Sequence, residues 1–250
     1  ETIPYSFDFS DEEIFNRDWT ILDLNEGSSW GLNDQQEVVY KFDKSLPGDD
    51  WLFTPGLQLT KGKAYKLSFL IKTERPYRME KEKLKVTIGN EKTPEVQTIE
   101  LFKDENCIIS YYATKEASFS VSESGIWYIG FYCYSGAWEG NLYIKQIDIT
   151  TEATYPAPIN DLKVTAGENG ALTANLSWTN PSTNNMGGEL SSLSGTKIYR
   201  DGALIETLLN TSIGNPVEWT DNNQIEQPGK YVYKVVPFNE DGDALGTPKN

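Results

Sequence analysis

Histidine is missing from all 250 residues. Its absence removes Ser-His-Asp and Cys-His nucleophiles, and the usual zinc sites, in one step. Cysteine is nearly missing too. Cys107 and Cys133 stand 26 positions apart, each inside a strand-like run and without CxxC spacing. They fit a disulfide or two buried thiols, and the sequence leaves both open. No stretch approaches the ~20 consecutive apolar residues of a membrane-crossing helix, so direct membrane insertion is not expected. No leader-like segment opens the chain, which implies that it starts after any leader or is an excised piece. Positive charge is scarce. Lys and Arg number 22 against 37 Asp and Glu, and the net −15 repels a phosphate backbone, so nucleic acid is not expected as a partner.

What is present favours strands. The chain holds 14 Tyr, 10 Phe and 7 Trp beside 20 Gly and 12 Pro, a composition of aromatic strands joined by many turns. Period-2 alternation runs through it. In AYKLSFLIK, Tyr65, Leu67, Phe69 and Ile71 share one face, and Lys66, Ser68 and Lys72 share the other. KLKVTIG repeats the pattern, and strands with one buried and one wet face belong to antiparallel sheets. The run from Ile126 to Tyr134 is apolar on both faces and reads as a central strand. In NLYIKQIDIT the apolar residues change phase between Ile144 and Ile147, which predicts a bulge. A turn or two of helix is expected at 11–16, capped by Ser10 with Glu13 completing a capping box.

The character shifts after Thr150, where TTEATYPAPINDL carries two prolines that stiffen a linker. The expected organisation is a first domain at 1–152 and a second at 153–250. In the second, LTANLSWTNP, GTKIYRDG, VEWTDNN and GKYVYKVVPFNEDGDALG supply short strands. This segment resembles the fibronectin type III family. Trp178 matches that family's core tryptophan, and Tyr231, with Pro237 and Asn239 downstream, matches its tyrosine-corner strand. Arg200-Asp201-Gly202 reads as a hairpin turn. Only Asp243 to Asn250 remains for the last strand, so further domains of the same chain are expected beyond it.

The first domain turns on GDDWLFTPGLQL, residues 48–59. Preceded by FDFSDEEIFNRDWTILDLNEGSSWGL and closed by LYIKQIDIT, it resembles the cleaved-adhesin (choice-of-anchor J) modules of gingipains and hemagglutinins. The resemblance covers about residues 4–150 and implies an all-β fold: an antiparallel jelly-roll sandwich, followed by an immunoglobulin-like one. It gives residues 48–59 a structural job. Trp51 and Phe53, or Leu52 in the opposite phase, point into the sandwich. Asp49 and Asp50 lie in the loop before the strand, and proline is tolerated where an edge strand restarts.

The resemblance also raises a structural calcium between the first and last strands, held by hard carboxylate oxygens from Asp8, Asp11, Glu12 and Glu13. Lys145, however, stands where the family commonly carries aspartate. A lysine ammonium there neutralises the acids in place of a cation, so this site is expected to be lost. DLNEGSSW, with Asp23, Asn25 and Glu26, reads as a polar turn before it reads as a ligand set. No other cofactor is implied.

For ligand binding, YCYSGAWEGN sets Tyr134, Trp138, Glu139 and Asn141 in a glycine-broken loop. An indole face stacks on a pyranose while a carboxylate and an amide bond its hydroxyls. Trp30 is a similar candidate. The expected function is a non-catalytic, secreted or bacterial cell-surface adhesin that binds host protein or glycan. A carbohydrate-binding accessory module is the alternative. A two-carboxylate glycoside hydrolase ranks third, because no segment nominates a catalytic pair.

Overall fold

The computed structural model describes residues 1–74, 81–209, 211–222, 225–245 and 248–249. It divides into two compact units, Glu1–Glu152 and Ala153–Asn250.

The first unit is a jelly-roll sandwich of two antiparallel sheets. One sheet runs β10 (Ala113–Ser120), β7 (Ala64–Glu74), β12 (Asn141–Glu152), β4 (Val38–Tyr40), β3 (Trp30–Leu32), with β1 (Tyr5–Phe7) also on β12. The other runs β2 (Thr20–Asp23), β5 (Asp50–Phe53), β11 (Gly125–Cys133), β8 (Glu82–Gly89), β9 (Ile99–Cys107), with β6 (Leu57–Leu59) also on β11. Alternation fixes which face is inside. Tyr65, Leu67, Phe69 and Ile71 of β7 meet Phe131, Ile129, Val86 and Leu84 of the opposing sheet in one core. In β12 the expected bulge is present. Lys145 pairs with Leu70 and Ile147 with Phe69, while Gln146 between them takes φ 53.

Three expectations change. The helix α1 (Glu12–Asp18) is capped by Asp11, whose side chain accepts from the Ile14 N–H; the Ser10 hydroxyl instead donates to Asp8. An aspartate in that place also favours the positive end of the helix. In β5 the phase is the opposite one, so Leu52 joins the core while Trp51 and Phe53 face outward, yet both are buried. Asp50, moreover, lies within the strand and is fully buried. Burial raises its carboxyl, against a hydrogen bond from Ser29 and one from the Asp49 backbone; Asp23 and Asp49 push it up further.

On its outward side Trp51 stacks between Phe53 and Tyr132, with ring centroids 5.4 and 4.5 Å away, and Tyr134 extends the stack at 5.3 Å from Tyr132. Gly130 makes room for it, because a Cβ there would lie 2.8 Å from Phe53 and 2.9 Å from Trp51. Gln97 holds the 90–98 segment over the same face, accepting from the Thr87 hydroxyl and donating to the Glu91 and Tyr128 carbonyls. Lys92 reaches over to the Thr20 hydroxyl at 2.8 Å. Cys107 and Cys133 are separate buried thiols, and burial pushes Cys107 up to about 12.

The second unit pairs a sheet of β13 (Lys163–Ala166), β14 (Ala174–Thr179) and β17 (Pro216–Asp221) with a second sheet. That one runs β16 (Ala203–Leu209), β15 (Gly195–Arg200), β18 (Tyr233–Asn239), β19 (Gly242–Asp243), with β20 (Pro248–Lys249) also on β18. Trp178, Leu176, Ile198, Tyr233 and Val235 form its core. Tyr231 donates to the Gln227 carbonyl at 2.8 Å, four residues upstream. Asp201 (φ 49) and Gly202 (φ 85) turn the β15–β16 hairpin. Inside, Asp221 accepts from both Arg200 and Tyr233 at 2.7 Å.

Candidate functional site

On the outer face of the β12 sheet, four separate stretches of chain line an open depression of about 700 Å³. Alternation in β12 sends Leu142 and Ile144 inward and Tyr143 outward, and the register sets Tyr143 directly beside Lys72 of β7. Glu74 follows two positions along β7, opposite Asn141. The β3–β4 turn brings Glu37. The side-chain oxygen of Asn33 accepts from the Gln35 and Glu37 N–H groups, and its amide donates to Glu37 Oε2 at 2.9 Å. Thr73 clips the segment before β10 to the end of β7, its backbone N–H donating to the Ile109 carbonyl at 2.6 Å and its hydroxyl accepting from the Ile109 N–H at 2.9 Å. That clip carries Ser110 and Tyr112 to the rim.

The charges interlock. Lys72 Nζ lies 4.7 Å from the Tyr112 ring centroid, 4.4 Å from that of Tyr143 and 3.8 Å from Glu37 Oε1. It donates no hydrogen bond among the described residues, so its N–H groups remain available. Tyr112 donates to Glu37 at 2.6 Å, and Tyr143 and Asn141 donate to Glu74. Burial alone would raise the Glu37 carboxyl, but the bonds from Tyr112 and Asn33, then Lys72 and Lys145, outweigh it and hold it below the usual range. The Tyr143 bond, followed by that of Asn141, does the same for Glu74. Conversely, burial and then the Glu74 bond push the Tyr143 phenol up to about 12. Both carboxylates are therefore anionic acceptors at neutral pH, and neither is poised to give a proton.

Of the residues nominated from sequence none lines this depression; Asn141 borders it, its amide donating to Glu74 and to the Tyr143 hydroxyl at 3.3 Å. Trp138 is 53% exposed at the tip of another loop, with φ 67 and Lys44 Nζ 5.1 Å from its ring centroid. Glu139 is spent on its own turn, accepting from the Gly136 N–H at 2.6 Å. Tyr134 stacks on Tyr132 at the outer face of the opposite sheet. Trp30 is a correction: only 4% exposed, it packs on Tyr40 and donates to the Asp50 carbonyl at 3.2 Å, so its ring offers no ligand face.

The acids of the implied calcium site do not fit one ion. Asp8 accepts from Ser10 and Asp11 caps α1, while Glu12 and Glu13 stand exposed in that helix's first turn. Lys145 adds to the hydrogen bonds that hold Asp8 low. Among the described residues no three acidic or thiol side chains converge on a metal-sized space.

No protein-family model matches the chain, and no curated protein matches it. Among solved structures, the K3 cleaved adhesin domain of Lys-gingipain from Porphyromonas gingivalis is similar at 16% identity and a TM-score of 0.47. That match covers 58% of this chain and 98% of that one. The xylan-binding CBM22-1 domain from Paenibacillus barcinonensis is similar at 12% identity and 0.42, covering 59% and 92%. The glycoside hydrolase domain of Endo-D from Streptococcus pneumoniae is similar at 13% and 0.34, covering 92% of this chain and 36% of that one. All three scores are low, and the fold stands on this chain's own strand pairing.

Proposed function

We propose that the first unit is a non-catalytic binding module of adhesin type, and that its ligand is a glycan lying across the outer face of the β12 sheet. One observation carries this: Lys72 sits between two tyrosine rings with unspent donors, beside two carboxylates whose charge is fixed by hydrogen bonds. Such a set accepts and donates to vicinal hydroxyls and offers ring surface to a pyranose. It suits binding and not hydrolysis, because a glycosidase needs one carboxyl raised to act as acid, and both of these are lowered. The second unit serves as a fibronectin type III spacer, a reading supported by Trp178 in its core and by the Tyr231 bond to the upstream backbone. A secreted or surface location accords with this role; no helix among the described residues is long and apolar enough to cross a membrane.

A glycan array read with the whole chain tests the proposal. Binding that falls at least tenfold in Lys72→Ala and Tyr143→Ala, with unfolding curves unchanged, is expected. Binding lost in Trp138→Ala and kept in those two moves the site to the exposed loop. A silent array, with saturable binding to a purified host protein, transfers the same face to a protein ligand.

A further inference from the structure

Away from the depression, one large aromatic is held out in water. Trp138 is exposed, and its backbone sits at φ 67, a left-handed conformation that a bulky residue rarely adopts. Two bonds keep it there. Its N–H donates to the Asp43 carbonyl at 2.9 Å, and the Glu139 carboxylate accepts from the Gly136 N–H at 2.6 Å. The 42–48 loop that receives Trp138 is fixed in turn. Asp43 accepts from the Ser45 and Leu46 N–H groups at 2.6 and 3.1 Å, and the Ser28 hydroxyl reaches the same side chain at 3.4 Å. The Asn25 amide donates to the Pro47 carbonyl. Three loops, 24–28, 42–48 and 135–139, thus brace one indole that belongs to no core, and strain persists only where its surroundings over-determine it.

What the ring meets there is charge. Phe42 backs it at 6.4 Å between centroids, and Lys44 Nζ rests 5.1 Å from its centroid. The polar groups that a sugar needs beside it are already used. Glu139 is spent on Gly136, and Asn141 accepts from the Phe42 N–H at 3.1 Å while its amide serves Glu74 and Tyr143. Glu26, Asp43 and Glu139 outnumber Lys44 on the three loops, and bonds from Ser45 and then Leu46 hold the Asp43 carboxyl below its usual range. Such a rim draws a cation and repels the anionic surface of a bilayer. Leu24 and Leu46 add exposed apolar surface on the neighbouring loops.

We propose that Trp138 receives an arginine side chain from a basic segment of a partner protein, at a site independent of the glycan face. Lys44 marks where a cation rests on the ring. A guanidinium is planar, stacks on an indole and is more weakly hydrated than an ammonium, so it displaces Lys44, and Asp43 and Glu139 supply the countercharge. Tryptophan and arginine are among the residues that anchor protein interfaces.

The test is fluorescence anisotropy of a dye-labelled nonapeptide of alternating arginine and glycine, titrated with the whole chain. Saturable binding is expected in wild type, at least about fivefold weaker in Trp138→Ala with its unfolding curve unchanged, and less weakened in Trp138→Phe, which keeps a ring. Lys44→Ala should bind at least about twofold more tightly, because the resident cation is gone. The same peptide with citrulline for arginine should not bind. General attraction to a chain of net charge −15 predicts otherwise, since Trp138→Ala changes no charge. Equal binding by wild type and that variant therefore overturns the proposal, as does no saturable binding by wild type. Equal affinity for a lysine peptide overturns the choice of arginine. Glycan-array binding, or partition onto zwitterionic vesicles, that is lost in Trp138→Ala gives the ring to a sugar or a membrane and overturns it too.

Discussion

The two outer faces of the first unit spend their aromatic residues in opposite ways. On the β11 sheet, Phe53, Trp51, Tyr132 and Tyr134 stack against one another, and Trp51 is 5% exposed and Phe53 fully buried. On the β12 sheet, Tyr112 and Tyr143 stack on no other ring among the described residues. They are held by their hydroxyls on Glu37 and Glu74, with Lys72 between them. Ring-to-ring stacking closes a surface; hydroxyl-to-carboxylate bonding leaves one open. Aromatic content therefore does not mark a binding face by itself, whereas the partner chosen by each ring does.

The comparison breaks first at Trp51. If the stacked face is a second core, Trp51→Ala should cost about 3–5 kcal/mol in urea unfolding, as for a buried tryptophan. Glycan binding at the other face should stay unchanged. A loss below about 1 kcal/mol would mean that the stack is surface after all. Gly130→Ala sharpens the point, since its Cβ must displace Trp51 or Phe53. Overpacking of about 1–3 kcal/mol is expected, again by urea unfolding.

The smallest effect belongs to the open face. The Glu37 carboxyl lies below its ordinary value in the folded protein, so its contribution is present above the unfolded value of about 4.3 and is lost as pH falls through the folded one. Glu37→Gln should therefore flatten the acid limb of stability against pH below about 4.3, and change neutral stability by under about 1 kcal/mol.

Alternation made the long strands readable. Tyr65, Leu67, Phe69 and Ile71 are buried as the pattern required, and the phase change in β12 located its bulge. In β5 it failed, because all four residues from Asp50 to Phe53 are buried, two on the inner face and two within the outer stack. A strand enclosed on both sides carries no period to read. Of the candidate site only the bordering Asn141 was singled out, since the lining comes from 33–37, 72–74, 108–110 and Tyr143, stretches brought together by the β4–β12–β7 pairing and the Thr73–Ile109 clip. One signal was there: Tyr143 stands between inward Leu142 and Ile144, an aromatic aimed at solvent from the middle of a sheet. Asp50 misled for a different reason, because a charge beside a turn ordinarily reads as solvated.

Gln146 has a last consequence. In most strands, losing one residue turns every later side chain over to the wrong face. Here the surplus position is absorbed where it occurs, so the chain on either side of it already points as an uninterrupted strand would. The centre of the molecule, ordinarily the stretch least able to change length, is thus a place where an ancestor or a descendant can differ by one residue and still know its inside from its outside.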